Sequence, residues 1–116
     1  EAAGGTVIPS DWTGPLRVCG ILSVARAFGN NGTPYTKYIT PTPEIRTHDL
    51  KTGGDFLILA CDGLWDVLSN EEACGIVMTH QANLTGASTE LVKAALARDS
   101  TDNVTAMVID LRKYRR

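Results

Sequence analysis

FLILACDGLWDVLSNEEA, Phe56 to Ala73, is the stretch on which the reading of the whole chain turns. Phe56 to Cys61 carry no charge, the pattern of a short strand buried on both faces. Asp62 and Asp66 follow, four positions apart, with Trp65 between them. Such a strand delivers one carboxylate at its end and a second a helical turn later. Ser69 then opens a helix. Its hydroxyl can accept from free N–H groups of the first turn, and Glu72 stands at the capping-box spacing. The helix is expected to reach about Gln81, with Ala73, Ile76, Val77 and His80 along one face.

A second helix is predicted from near Ser88 to about Ala97, burying Leu91, Ala94, Ala95 and Leu96. STDNVTAMVIDL follows, and Val104 to Leu111 reads as a long strand buried on much of both faces. On the N-terminal side, KTGGD at Lys51–Asp55 is a turn into the first strand. Residues 1–18, rich in Gly and Pro, are expected to be irregular. Ile21 to Phe28 is an apolar segment ended by Gly29, a helix C-cap candidate. Asn30 to Pro34 is a turn. Tyr38–Ile39 and Glu44–His48 read as short strands, split by Pro41 and Pro43 at a sheet edge or loop. No internal repeat is present. The fold class is mixed α and β.

The 116 residues amount to about one domain. Apolar residues at 43% suffice for a core, and 21% charged residues fit a globular chain. A net charge of −2, with no basic clustering in the body of the chain, points away from nucleic acid. Arg112, Lys113, Arg115 and Arg116 form a terminal basic group, read as a solvated tail or a docking patch. No apolar run is long enough to span a membrane. EAAGGTVIPS lacks the basic start and apolar centre of a signal peptide, and without an initial Met the chain is expected to come from a longer protein. Cys19, Cys61 and Cys74 share no C-x-x-C spacing, so free, buried thiols in a reducing, cytoplasmic or nuclear compartment are expected. Against that stand N-x-T triplets at Asn31, Asn83 and Asn103, which a secreted protein could glycosylate.

If the two best strands pair antiparallel, Asp62 at the end of one and Asp102 before the start of the other share a sheet edge. Asp66, at i+4 from Asp62, would face the same side. Carboxylates gathered there repel unless protonation, a basic partner or a cation offsets them. No Lys or Arg lies between Lys51 and Lys93. A hard divalent cation such as Mg²⁺ or Mn²⁺ suits oxygen ligands best. Simpler readings stay open: Asp66 could cap its turn, and Asp102 could be a turn residue before a strand. DGLWD lacks the alternating oxygen ligands of a calcium loop.

At these residues the chain resembles a known family. FLILACDGLWDVLSNEEA resembles the signature of the type-2C protein phosphatases, metal-dependent protein serine/threonine phosphatases, and STDNVTAMVIDL resembles their closing motif. Ala2–Gly5 (AAGG), Arg17–Asn30 (RVCGILSVARAFGN) and Ile39–Ile45 (ITPTPEI) match further blocks in order. The resemblance covers nearly the whole chain and implies an α+β fold, part of an α-β-β-α sandwich in which two antiparallel sheets are flanked by helix pairs. It implies two Mg²⁺ or Mn²⁺ ions sharing a water that attacks phosphorus. Asp62 and Asp102 match primary metal ligands, and Asp66 matches the ligand of a third, weaker site. Gly63 is expected to keep the turn tight, and Trp65 to pack.

The resemblance also marks what is missing. Residues 1–116 correspond to the C-terminal portion of the family's domain, without its early D-G-H-G-G block, bridging Asp, general-acid His or phosphate-binding Arg. Neither His48 nor His80 matches a catalytic position; both are expected at the surface. Asn30 stands where the family has Asp, and Ala25 where it has Ser, while Arg26 matches a family Arg expected in an ion pair. The expected activity is hydrolysis of phosphoserine and phosphothreonine in phosphoproteins by the parent protein, with these residues alone inactive. The alternative is a degenerate, non-catalytic binding module. Exposed sheet edges should favour association with the missing N-terminal half or with a second copy.

Overall fold

The computed structural model describes residues 3–12 and 14–115, so Ala2 of the AAGG block and Arg116 lie outside the described residues. The chain divides into two compact units, Glu1–Thr47 and His48–Arg116.

In the first unit β1 (Val7–Pro9) and β2 (Leu16–Val18) form an antiparallel ladder, Val7 opposite Val18 and Pro9 opposite Leu16. This corrects the expectation of irregular structure over residues 1–18: two three-residue strands were hidden by the glycines and prolines around them. Ile21–Phe28 is not a helix. Eight residues are few to nucleate one, and the segment pairs instead: the Thr40 amide donates to the Ala25 carbonyl (3.2 Å) and the Ala27 amide to the Thr40 carbonyl (3.1 Å). Gly29 adopts the left-handed φ of +93° without a helix to cap. Thr36–Tyr38 is a turn of 3₁₀ helix, and Glu44–His48 forms no strand. Pro41 and Pro43 each remove a ladder donor beside it.

The second unit follows the expected order closely. β3 (Phe56–Ala60) pairs antiparallel with β4 (Ala106–Asp110), Phe56 opposite Asp110 and Ala60 opposite Ala106. Between them lie α1 (Asp62–Trp65), α2 (Asn70–Thr79) and α3 (Leu84–Leu96). Ser69 and Glu72 close the capping box of α2 in both directions, at 3.2 and 2.9 Å. α3 begins four residues before Ser88 because Asn83 caps it, its Oδ1 accepting from the Gly86 amide at 3.0 Å. The Asn of one N-x-T triplet is thus a helix cap.

Leu64, Leu68, Ala73, Val77, Ala87, Leu91 and Ala95 form the core, with Phe56, Ile58, Ala60, Val104, Ala106 and Val108 packed against it. One sheet face meets the helices. The other is open: Leu57, Leu59 and Met107 are 42%, 48% and 56% exposed. β3 is therefore buried on one face in this chain, not on two, and Leu96 and Cys74, expected inside, are also exposed, while Cys19 and Cys61 are half-buried. Among the described residues the sheet has two strands, so both outer edges lack a ladder partner.

Polar links close the unit. Arg98 forms a bidentate pair with Glu72 and donates to the Val67 carbonyl at 3.1 Å, tying the end of α3 to the start of α2. At the C-terminus Arg112 pairs with Asp110 at 2.9 Å and lies over the Phe56 ring. Arg115 pairs with Asp55 at 2.8 Å. Two of the four terminal basic residues thus anchor the chain end to the sheet rather than forming a solvated tail.

Leu91 is fully buried, so Leu91→Ala should cost about 3 kcal/mol in urea unfolding, the usual scale for a core truncation. Leu59→Ala, on the open face, should cost under about 1 kcal/mol; equal costs would contradict the one-sided core. The Arg98 guanidinium, with the Ser69 amide, lowers the Glu72 pKa from 4.5 to about 2. A depressed carboxylate stabilises the fold fully above its unfolded pKa and loses that contribution on protonation. The Tm should therefore fall as pH drops from about 4.5 toward 2, and Glu72→Gln should flatten that part of the Tm–pH curve.

Candidate metal centre

The site lies where β3 and β4 part. Ala60 and Ala106 are the last ladder pair. One step beyond, the Cys61 amide still donates to the Thr105 carbonyl at 3.2 Å. The two chains then turn away as α1 on one side and the loop through Asp102 on the other. They stay in contact as they do so. The Cys61 thiol bridges the Asn103 carbonyl (3.1 Å) and the Thr105 amide (3.2 Å). The Ser100 hydroxyl donates to the Gly63 carbonyl at 2.6 Å.

Gly63 marks the closest approach. A Cβ there would stand 2.3 Å from the Asn103 carbonyl oxygen and 3.4 Å from the Cβ of Asp102. The glycine is needed for this backbone contact, not for a left-handed turn, since it lies within α1 and is absent from the positive-φ residues. Its neighbour Asp62 and the facing Asp102 are thereby held at one edge of the sheet. The antiparallel register brings these two expected residues together across forty positions of sequence.

Asp62 Oδ1 accepts from the Gly63 amide at 3.1 Å, and Asp102 Oδ1 from the Asn103 amide at 2.7 Å. Both residues are exposed. Asp66 closes α1 as its C-cap, its amide bonded to the Asp62 carbonyl at 2.9 Å, and is exposed too. Among the described residues no Lys, Arg or His lies within ion-pair distance of these three aspartates. Nor do any three His, Cys, Asp or Glu side chains there form a group able to hold a metal. The structure pairs the Asp62 and Asp102 turns without closing a three-carboxylate cluster around them. Exposed carboxylates with free oxygens and no basic neighbour suit a hard cation that retains much of its water.

Other expected residues fall elsewhere. The Trp65 indole N–H donates to the Ala60 carbonyl at 3.0 Å and braces α1 on the strand end, a packing role. His48 is exposed; His80 is half-buried beyond the end of α2, its Nδ1 2.9 Å from the Ile76 carbonyl. In the first unit Asn30 has a φ of +56°, a conformation Asn tolerates, and its carbonyl accepts from the Thr33 and Thr36 hydroxyls. Arg26 does meet an acid, Glu44, at 4.0 Å between two exposed side chains, a weak pair. An apolar groove of about 580 Å³ beside Phe56, Trp65 and Met78 contains none of the three aspartates. Sequence reasoning passed over Cys61 and Ser100; their proximity to the motif aspartates was the available signal.

A family model for protein phosphatase 2C matches residues 1–104. The chain is 40% identical to probable protein phosphatase 2C 78 of Arabidopsis thaliana, over 97% of this chain and 34% of that protein. It is 43% identical to protein phosphatase 2C 37 of the same plant, over 99% of this chain and 31% of the relative. It therefore spans about a third of the length of the curated relatives it matches. A solved structure of a C. elegans sex-determining protein superposes with a TM-score of 0.76 at 27% identity, covering 96% of this chain and 28% of that one. Serine-threonine phosphatase 2C from Toxoplasma gondii superposes at 0.67 with 34% identity, over 77% of this chain and 29% of that one. With the two aspartate turns in contact at the end of β3 and a family match over most of its length, the chain belongs to the protein phosphatase 2C family.

Proposed function

We propose that this chain is the C-terminal portion of a metal-dependent protein serine/threonine phosphatase, and that Asp62 and Asp102 are ligands of its catalytic cations. The observation that carries this reading is the contact of Gly63 with the Asp102–Asn103 backbone. It holds two exposed carboxylates at one sheet edge, with no basic partner among the described residues to neutralise them. Asp66, at the C-cap of α1, is assigned to a third, weaker site.

Each part of the chain has a task in this reading. β3, packed against the buried core through its inner face, is a stiff base for Asp62. The Asn103 backbone fixes the approach of Asp102. Mg²⁺ or Mn²⁺, when bound, acidifies water and neutralises phosphate charge. The first two aspartates orient that charge; they neither bind the phosphoprotein nor donate a proton to the leaving serine or threonine. The family's general-acid His and phosphate-binding Arg have no match in this sequence, so residues 1–116 alone are assigned metal binding without turnover. The N-terminal half of the family domain is the partner assigned to the open face of Leu57, Leu59 and Met107, with self-association as its substitute in isolation. The free thiols of Cys19, Cys61 and Cys74 support an intracellular, cytoplasmic or nuclear setting. A second reading, a non-catalytic phosphatase-like module, is favoured by Asn30 and Ala25, which replace a family Asp and Ser.

Calorimetric titration with Mn²⁺, beside Asp62→Asn and a phosphate-ester hydrolysis assay, separates these readings. Binding abolished by Asp62→Asn, without hydrolysis, is the expected result. Hydrolysis by the chain alone would refute its assigned inactivity, and absence of Mn²⁺ binding would favour the module. Gly63→Ala pushes a methyl into the Asn103 carbonyl, and overpacking of this kind costs about 1–3 kcal/mol. It should lower the Tm and weaken Mn²⁺ binding together. A variant that melts and binds as the unaltered chain does would show that the close approach is dispensable.

A further inference from the structure

The geometry points to Cys61 and Ser100 as positioning residues that clamp the Asp102 loop onto the Asp62 turn. This rests on the assignment of Asp62 and Asp102 as metal ligands and goes beyond it, to what sets their separation. The β3–β4 ladder ends at Ala60 and Ala106. Past that point one backbone pair, from Cys61 to Thr105, still joins the two chains. Asp102 lies three residues beyond Thr105, where no strand pairing constrains it.

Two side chains span that gap. The Cys61 thiol donates to the Asn103 carbonyl and accepts from the Thr105 amide, at 3.1 and 3.2 Å. Ser100 reaches back from the far side of the loop to the Gly63 carbonyl at 2.6 Å. Asp102 thus sits between two tethered points, Ser100 and Asn103. Each tether ends on a residue adjacent to a carboxylate: Cys61 and Gly63 flank Asp62, and Asn103 follows Asp102. The hydrogen-bond pattern explains the residue types. Cys61 must both donate and accept, which a thiol or a hydroxyl can do and a methyl cannot. Ser100 must donate to a carbonyl, which an alanine cannot. Gly63 supplies the room; these two groups supply the attraction that keeps the loop in it.

The test uses amide hydrogen exchange and Mn²⁺ calorimetry on the unaltered chain and on Cys61→Ala, Cys61→Ser and Ser100→Ala. Without metal, Cys61→Ala should speed exchange at the Thr105 amide by about tenfold, the scale of one lost hydrogen bond. Amides of α3 at Leu91 and Ala95 should not change. Cys61→Ser should restore the rate to within about threefold, since its hydroxyl bonds both ways. Ser100→Ala should speed exchange within α1 and leave α3 alone. With Mn²⁺, Cys61→Ala and Ser100→Ala should each weaken binding about tenfold, and Cys61→Ser less. Unchanged exchange at Thr105 in Cys61→Ala overturns the clamp, as does equal acceleration throughout α3 and β4, which would mark a general loss of stability. Local acceleration with undiminished Mn²⁺ affinity overturns it too, because the bonds would then hold the loop without placing the carboxylates. Absence of Mn²⁺ binding by the unaltered chain removes the ligand assignment alone, and the exchange rates still decide whether the clamp exists.

Discussion

The antiparallel pairing of β3 with β4 is the constraint from which the second unit follows. Five residue pairs, Phe56 with Asp110 through Ala60 with Ala106, fix the register. In a pleated strand that register also fixes which side chains face the helices. Phe56, Ile58, Ala106 and Val108 pack against the buried core on one side, and Leu57, Leu59 and Met107 are left on the other. The same register sets Cys61 against Thr105 and delivers the two aspartate turns to one edge. A shift of one residue would exchange the faces and separate the turns at once. Core and candidate site therefore share one determinant.

Order elsewhere in that unit comes from ends rather than middles. Short helices are marginal by themselves, so their caps and docking decide whether they persist. α2 has its capping box, α3 its Asn83 cap, and Arg98 joins the end of α3 to Glu72 within the first turn of α2. Glu72 thus serves two structures with one carboxylate: it completes the cap of its own helix and receives the guanidinium of the next. The Trp65 indole bond to Ala60 does comparable work for the four residues of α1, orienting the helix whose two ends are Asp62 and Asp66.

In the proposed reading, the open sheet face and the incomplete set of metal ligands have a common origin. The chain matches about a third of the length of its relatives, and a sandwich needs apolar groups on both inner faces. Leu57, Leu59 and Met107 are the outward half of such a pattern. They explain why the uncharged run FLILAC suggested burial on two sides whereas this chain buries one. At the edge where the two aspartates arrive, no three acidic, Cys or His groups gather among the described residues.

Local physics made the second unit legible in the sequence. A capping box acts within four residues, a strand announces itself by its run of apolar side chains, and a buried helix face repeats every three or four positions. Those signals located β3, α2, most of α3 and β4, and they pointed to Asp62, Asp66 and Asp102. The first unit resisted because its strands are three residues long and its turns are set by pairing between Ala25, Ala27 and Thr40, which no local periodicity reports. Tertiary structure alone decided the rest. It showed that Gly63 is required by a carbonyl forty residues away, and that Arg112 and Arg115 anchor the chain end on Phe56 and Asp55. It also showed that Cys61 and Ser100 reach across to the opposite turn. The reason is the range of the interactions. Caps and periodicity are written within a single turn or strand, whereas a contact between distant backbones exists only once the register has brought them together.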